Sequence, residues 1–228
     1  MLFALGQPIA LAGLALAFVL GLVIRVLAIR AVQRRRVPAG WGTPRRAGGK
    51  LIDVRRDVDI FGVVAAVVGG TGWGKKVEDA GMAPAPLRVL LAGPIAVIAA
   101  AQVAFLAFVL VVGRVGLGSM SASSALRGEI GIVGGTNLGL FLLSLAVGLL
   151  CFGLLSLVPL PPLDGWGLLR HAVKRPGTGF QKARYWLEDQ NVGIAILLAG
   201  MLLPLFRGLP LFLFVLDLLS WPFLLLWG

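Results

Sequence analysis

Three apolar stretches, residues 8–29, 87–113 and 137–159, each exceed the roughly 20 residues that a helix needs to cross the hydrocarbon core of a bilayer. Inside lipid, backbone N–H and C=O groups must bond within their own segment, so each stretch is predicted to be a membrane-spanning helix. This constraint outweighs any local propensity. The composition agrees: 58% of residues are hydrophobic and only 14% charged, which soluble domains do not show. The predicted class is an all-α polytopic membrane protein, one membrane domain over residues 1–228, with the lipid bilayer as its surrounding partner.

Shorter apolar stretches complete the outline. Residues 58–70 are too short to span and end in Gly69 and Gly70, so they are predicted to form a re-entrant element. Residues 192–206 and 209–227 flank Arg207, Gly208 and Pro210 and are predicted to form a C-terminal helical hairpin over 192–227. No basic residue precedes Arg25, which argues against a cleaved signal peptide. The heavy use of Ala, Gly, Leu, Val and Arg fits a GC-rich bacterial source.

The net charge of +11 raises nucleic acid as a partner, but the basic residues sit in short loops beside apolar segments, as on a cytoplasmic membrane face. No nucleic-acid partner is expected. Lys and Arg number nine in residues 30–57, three in 71–88, two in 114–136 and five in 160–191. If 58–70 is re-entrant, one side of the membrane holds seventeen of these against two; if it spans, the division is eleven against eight. The positive-inside rule selects the re-entrant topology. It predicts a multi-pass protein of the cell membrane, with the N-terminus outside and the basic loops 30–88 and 160–191 in the cytoplasm. Residues 30–57 read as a basic loop with a short strand near Lys50–Val54, and the Gly- and Ser-rich 114–136 as a loop on the opposite side.

Ionisable side chains at membrane depth are rare and usually functional. Here they are Arg25, Asp164 and Asp217, with Gln102, Ser144 and Ser156 as neutral companions. Arg25 lies near one helix end and is able to snorkel to the interface. Asp217 is able to tie its helix to a neighbour or to backbone amides. Asp164 precedes Gly165, as a turn or cap residue would, yet it also follows Pro159, Pro161 and Pro162. Prolines cannot continue a helix and hold the chain extended, so the span is expected to stop there with its side chains facing a cavity. A carboxylate in that place suits a metal, a proton or a basic partner, and a pairing with Asp217 stays open.

The stretch "SLVPLPPLDG", 156–165, resembles the third-span motif N-x-x-P-x-P-P-L-D-G of the site-2 protease family of intramembrane zinc metalloproteases. "GWGKKV", 72–77, is similar to that family's G-W-[AG]-K-P-V segment; "LLAGPIAV", 90–97, to L-A-G-P-x-x-N; and "RRDVDIFG", 55–62, to N-P-L-x-H-I-D-P-x-G. The order and spacing agree over most of the chain. The resemblance implies a core of three spans with a groove lined by Gly93, Pro94, Ser156, Pro159, Pro161, Pro162 and Gly165. It also implies an H-E-x-x-H motif on the first span, whose two histidines bind zinc with the third-span Asp while the Glu handles the proton of the attacking water.

Counting back from the basic exit "RAVQRRR", the matching stretch is "RVLAI": Arg25 and Ile29 stand at the histidine positions and Val26 at the glutamate position. Ser156 and Val97 replace the motif asparagines, and Asp57 replaces the loop histidine. Of the family's catalytic set only Asp164 remains, and a catalytic zinc site normally takes three protein ligands. The single histidine, His171, follows Asp164 by seven residues in a basic stretch, and the single cysteine, Cys151, lies within an apolar run. His171 is expected at the headgroup surface and Cys151 as a packed hydrophobe. Zinc is therefore expected to be lost, and no cofactor is expected. In the family fold the first histidine position faces the third-span Asp, which motivates the expectation that the Arg25 guanidinium replaces the metal and pairs with Asp164. The function implied is that of a pseudoprotease: a binding, scaffolding or accessory subunit for other membrane proteins. The alternative is a divergent zinc metalloprotease cleaving transmembrane segments.

Overall fold

In the computed structural model, which describes residues 1–34, 53–77, 85–130, 135–173, 175–206 and 209–228, three helices are long and apolar enough to cross a membrane. They are α1 (Pro8–Arg34), α4 (Leu87–Val112) and α6 (Asn137–Ser156). Each boundary has a local cause. Thr136 caps α6 by accepting a hydrogen bond from the Gly139 amide at 3.0 Å, which satisfies one of the orphan donors of a helix start. Pro86 precedes α4, and Gly113 ends it at a φ of 90°. The first span continues past the expected residue 29 to Arg34 because Arg30–Arg34 contains no proline or glycine to stop it.

Small residues bring α1 and α6 into near backbone contact. A Cβ on Gly13 would lie 2.7 Å from the Phe141 carbonyl oxygen and 2.9 Å from Ser144 Cβ, and one on Gly148 would lie 2.6 Å from Ala17 Cβ. Further along, Gly21 abuts the ring of Phe152. Gly13, Ala17 and Gly21 thus form a stripe at four-residue spacing, the pattern that lets helices pack closely where no hydrophobic effect drives them together. The contacts advance in the same direction on both helices, so α1 and α6 are parallel.

The middle span runs the other way. Gly153 of α6 packs on Pro94 and Ile98, and Gly167, beyond the end of α6, packs on Leu90, so α4 is antiparallel to α6 and hence to α1. The chain must therefore return to the same end of the bundle between α1 and α4. The intervening α3 (Ile60–Gly69) has ten residues, about 15 Å at 1.5 Å per residue against a hydrocarbon core of about 30 Å. Val58 before it and Gly74 after it form an antiparallel bridge, so the chain enters and leaves α3 on one side. Asp59 starts it by accepting from the Phe61 amide at 3.0 Å, and Gly70 ends it in the left-handed region at φ 85°, where glycine bears no Cβ penalty. Within the expected strand near 50–54, residues 50–52 lie outside the described residues, while Val54 opens the single-turn α2 (Val54–Asp57).

The C-terminal part departs from a simple hairpin. α9 (Val192–Leu202) and α10 (Leu211–Trp227) are joined through a two-stranded antiparallel ribbon, β1 (Pro204–Phe206) and β2 (Leu209–Pro210). Phe212 fills the notch at Gly200. α10 does not fold back along α9: Trp227 Nε1 donates to Gln102 Oε1 at 2.8 Å and its ring stacks on Phe105. Its last turn lies instead against Leu117 and Gly118 of a short 3-10 turn (Leu117–Ser119) beyond the end of α4. With Pro204 and Pro210 at the junction, neither helix is able to extend into the other.

The core lies between the three long helices and contains Leu14, Val97, Phe105, Leu143, Leu150 and Phe152. Their outer flanks stay apolar and exposed, as on Val103 and Leu110 of α4, 67% and 77% exposed. A soluble protein does not leave such a girdle uncovered, and three apolar helices of this length suit a bilayer.

Candidate functional site

The third span stops at Ser156, after which Leu157–Leu163 form tight turns rather than the expected extended segment: Leu160 N donates to the Val158 carbonyl at 2.8 Å and Leu163 N to that of Leu160 at 2.9 Å. The Pro161–Pro162 peptide is cis, and the chain folds back within this compact knot. Pro161 is buried, Pro162 half-buried and Pro159 exposed. Asp164 then opens α7 (Asp164–Ala172). Gly165 is required here, since a Cβ would run into the carbonyl oxygens of Leu157 and Val158.

Asp164 is 3% exposed and Arg25 is 4% exposed. Arg25 Nε donates to Asp164 Oδ2 at 2.8 Å and Nη2 to Oδ1 at 2.5 Å, a parallel two-bond fork that matches the planar guanidinium to the carboxylate. Arg25 therefore does not snorkel. It ties the first span to the turn after the third. Its placement follows from α4, because a Cβ on Gly93 would lie 2.7 Å from Arg25 Cγ and 3.3 Å from Ile29 Cδ1. Arg25 and Ile29, four residues apart, thus share the face of α1 that Gly93 leaves room for, and Val26 beside them is buried. Pro94 follows Gly93 inside α4 without breaking it. Ser156, buried, donates to the Phe152 carbonyl of its own helix at 2.8 Å and takes no part in the pair.

A second layer lies beneath. Asp57 accepts from Arg30 Nη2 at 2.7 and 2.8 Å and from the Asp53 amide at 2.8 Å. The segment 71–77 crosses beside it, with Lys75 N donating to the Asp57 carbonyl at 3.1 Å. A Cβ on Gly74 would sit 3.1 Å from Arg25 Nη1, so this strand-like segment closes the site from that side. Trp73, 1% exposed, donates its indole N–H to Asp59 at 2.9 Å. The Asp59 carboxylate therefore both starts α3 and anchors the crossing segment.

A third cluster centres on Glu188, in the five-residue π-helix (Tyr185–Asp189) that continues α8 (Thr178–Arg184). Lys76 Nζ lies 2.5 Å from Oε1, Arg170 Nη1 3.5 Å from Oε1, Arg184 Nε 3.3 Å from Oε2 and Trp166 Nε1 3.4 Å from Oε2. Burial pushes the carboxyl up, but the hydrogen bond and charge of Lys76, then Trp166 and Arg170, outweigh it and hold it below the usual glutamate range. A shallow cleft lined by Leu90, Pro162, Asp164, Trp166 and Glu188 adjoins the cluster.

The remaining polar residues are placed elsewhere. Asp217 lies toward the far end of the bundle, where its carboxylate accepts from the Ser123 amide and hydroxyl, each at 2.6 Å. It thereby caps α5 (Ala122–Leu126) from a neighbouring helix, and its carboxylate has no bond to Asp164. Ser144 donates to the Leu140 carbonyl of its own helix, Cys151 is buried and His171 is exposed on α7. Asp59, Ser123, Arg30 and Glu188 stand outside the set of residues predicted from the sequence. Asp59, just before an apolar run, carried an N-cap signature, whereas the other three have no local signal.

The donor set does not suit a zinc ion. Both Asp164 oxygens are bonded to a guanidinium, Ile29 offers no ligand atom, and among the described residues no three of His, Cys, Asp and Glu converge. What the arrangement does chemically is hold a neutralised charge pair in a water-poor place between two helices. No family model matches the chain, and neither does any curated protein or solved structure.

Proposed function

We propose that this is a catalytically inactive, site-2-protease-like membrane protein that binds or scaffolds other membrane proteins. The observation that carries the reading is the Arg25–Asp164 pair: a guanidinium bonded to both oxygens of the motif aspartate, where the resemblance implies a metal. Further support comes from Ile29 at the second ligand position on the same helix face, and from Gly93 of the "LLAGPIAV" segment against both. The antiparallel course of α1 and α4 fits the re-entrant topology, with the N-terminus outside and Arg25, Asp164 and the basic loops at the cytoplasmic end. Exposed apolar flanks on α3 and α4, such as Ile60 and Val103, offer surfaces to a partner's transmembrane helix.

The test is to measure zinc in the purified protein and in the Arg25→His/Ile29→His variant, which would restore two imidazoles at i and i+4 beside Asp164. The wild type is expected to hold substoichiometric zinc and to cleave no transmembrane substrate, and the variant to bind zinc and gain thermal stability from it. Stoichiometric zinc in the wild type would overturn the inactive reading. A folded variant that binds none would overturn the site-2-protease-like geometry.

A further inference from the structure

The helical segment Thr178–Asp189 contains no buried residue. Helices this short are marginal in water even with favourable sequences, so a surface other than the protein core must support most of this one. It touches the rest of the chain along one side only, where Phe180 stacks on Trp166 at 5.8 Å and Glu188 gathers Lys76 and Arg170. The opposite side presents Lys182, Tyr185 and Trp186, at the three- and four-residue spacing that places them together. Tyr185 and Trp186 are 50% and 60% exposed and meet edge to face at 6.1 Å.

The depth of this side is set by its neighbours. At Asn191 the chain turns through the left-handed region (φ 56°) directly into apolar α9. Gly193 packs on the carbonyls of Leu187 and Pro161, the latter in the knot that ends the third span. The segment therefore lies where the spans end, at the level of the lipid headgroups. Charge selects the kind of surface: Lys76, Arg170 and Arg184 share the carboxylate of Glu188, and the exposed Arg175 and Lys182 outnumber the exposed Asp189. Aromatic rings flanked by cations at this depth suit an anionic interface.

We propose that Thr178–Asp189 is an interfacial anchor that binds anionic phospholipid headgroups, with Tyr185 and Trp186 inserted among them and Arg175 and Lys182 facing their phosphates. The proposal is independent of the pseudoprotease reading and requires only that the three long helices span a bilayer.

Two measurements on the full chain test it. In the first, a Trp186→Cys variant labelled with an environment-sensitive fluorophore is placed in phosphatidylcholine/phosphatidylglycerol vesicles, Cys151 being buried and out of reach of the reagent. Quenching by headgroup-attached spin labels is expected, with protection from aqueous iodide; free quenching by iodide without any lipid quenching would overturn the insertion. In the second, short-chain phosphatidylglycerol is titrated into detergent-solubilised protein with thermal stability as the readout. Apparent affinity is expected to fall about fivefold for each cation removed in Arg175→Gln and Lys182→Gln, and phosphatidylcholine is expected to stabilise far less. Equal stabilisation by the two lipids, unchanged affinity in the variants, or an equal response to free glycerophosphate would each refute a lipid site.

Discussion

Replacing either member of the Arg25–Asp164 pair separates two contributions that a single variant confuses: the attraction between the groups and the cost of stranding one of them. With both residues under 5% exposed and joined by two charge-assisted bonds, removing one partner is expected to cost about 3–5 kcal/mol. For a chain of this size that corresponds to a fall of about 6–20 °C in melting temperature. The two variants should not be equal. Arg25→Met leaves a carboxylate in the first turn of α7, where a helix N-terminus favours negative charge. Asp164→Leu leaves a guanidinium that stays charged at any accessible pH, so its loss belongs at the upper end. The double variant replaces the pair with apolar side chains and should lie close to the wild type, because buried ion pairs exchanged for well-packed hydrophobes often cost nothing. The assay is a double-mutant cycle by thermal unfolding in detergent. With each single loss about 3–5 kcal/mol and the double variant near zero, a coupling of about 6–10 kcal/mol is expected, and losses that add within about 0.5 kcal/mol would show that the two groups are energetically independent.

Two further outcomes follow from the other clusters. Asp217→Ala removes the acceptor of two 2.6 Å bonds from Ser123 and should destabilise by about 1.5–3 kcal/mol, with Ser123→Ala losing less because the amide bond remains; unchanged melting of Asp217→Ala in detergent would contradict the capping role. Because the Glu188 carboxyl is held below its usual value, its stabilisation is complete above about pH 4.3 and is lost as pH falls further, through the lowered value. The difference in melting temperature between wild type and Glu188→Gln should therefore be constant from neutrality to about pH 5 and shrink below about pH 4. High salt should reduce it at every pH, since Lys76 is half exposed. A difference that grows on acidification would reverse the assignment.

The parts of the fold that depend on length and polarity were legible in the sequence. The bilayer dictates a minimum run of apolar residues, and α1, α4 and α6 lie within the three predicted stretches apart from the last turn of α1. The shortness of α3 was legible because ten residues cannot reach across a bilayer, and its flanks meet at the Val58–Gly74 bridge. The prolines of 159–162 predict an extended segment, since their φ restriction does not reveal the reversal that brings Asp164 back beneath α6. The course of α10 was also hidden, being set by Phe212 in the Gly200 notch and by Trp227 at Gln102, contacts between residues 12 and 125 positions apart. Glu188 and Asp57 gave no periodic or motif signal for their partners. Each acquires its role from cations delivered by distant segments, and charge alone does not name its counterpart.

The glycine and alanine stripe joining α1 to α6 has a mechanical consequence. Gly13 and Arg25 are twelve residues apart, about 18 Å along a rigid rod, and α1 touches α6 too closely between them to absorb displacement by bending side chains. A slip of α1 by one helical turn, about 5.4 Å, would open both bonds to Asp164 at once, and the close contacts at Gly13, Ala17 and Gly21 oppose it. The small-residue stripe that sets how α1 lies along α6 thereby also sets the register in which Arg25 meets Asp164.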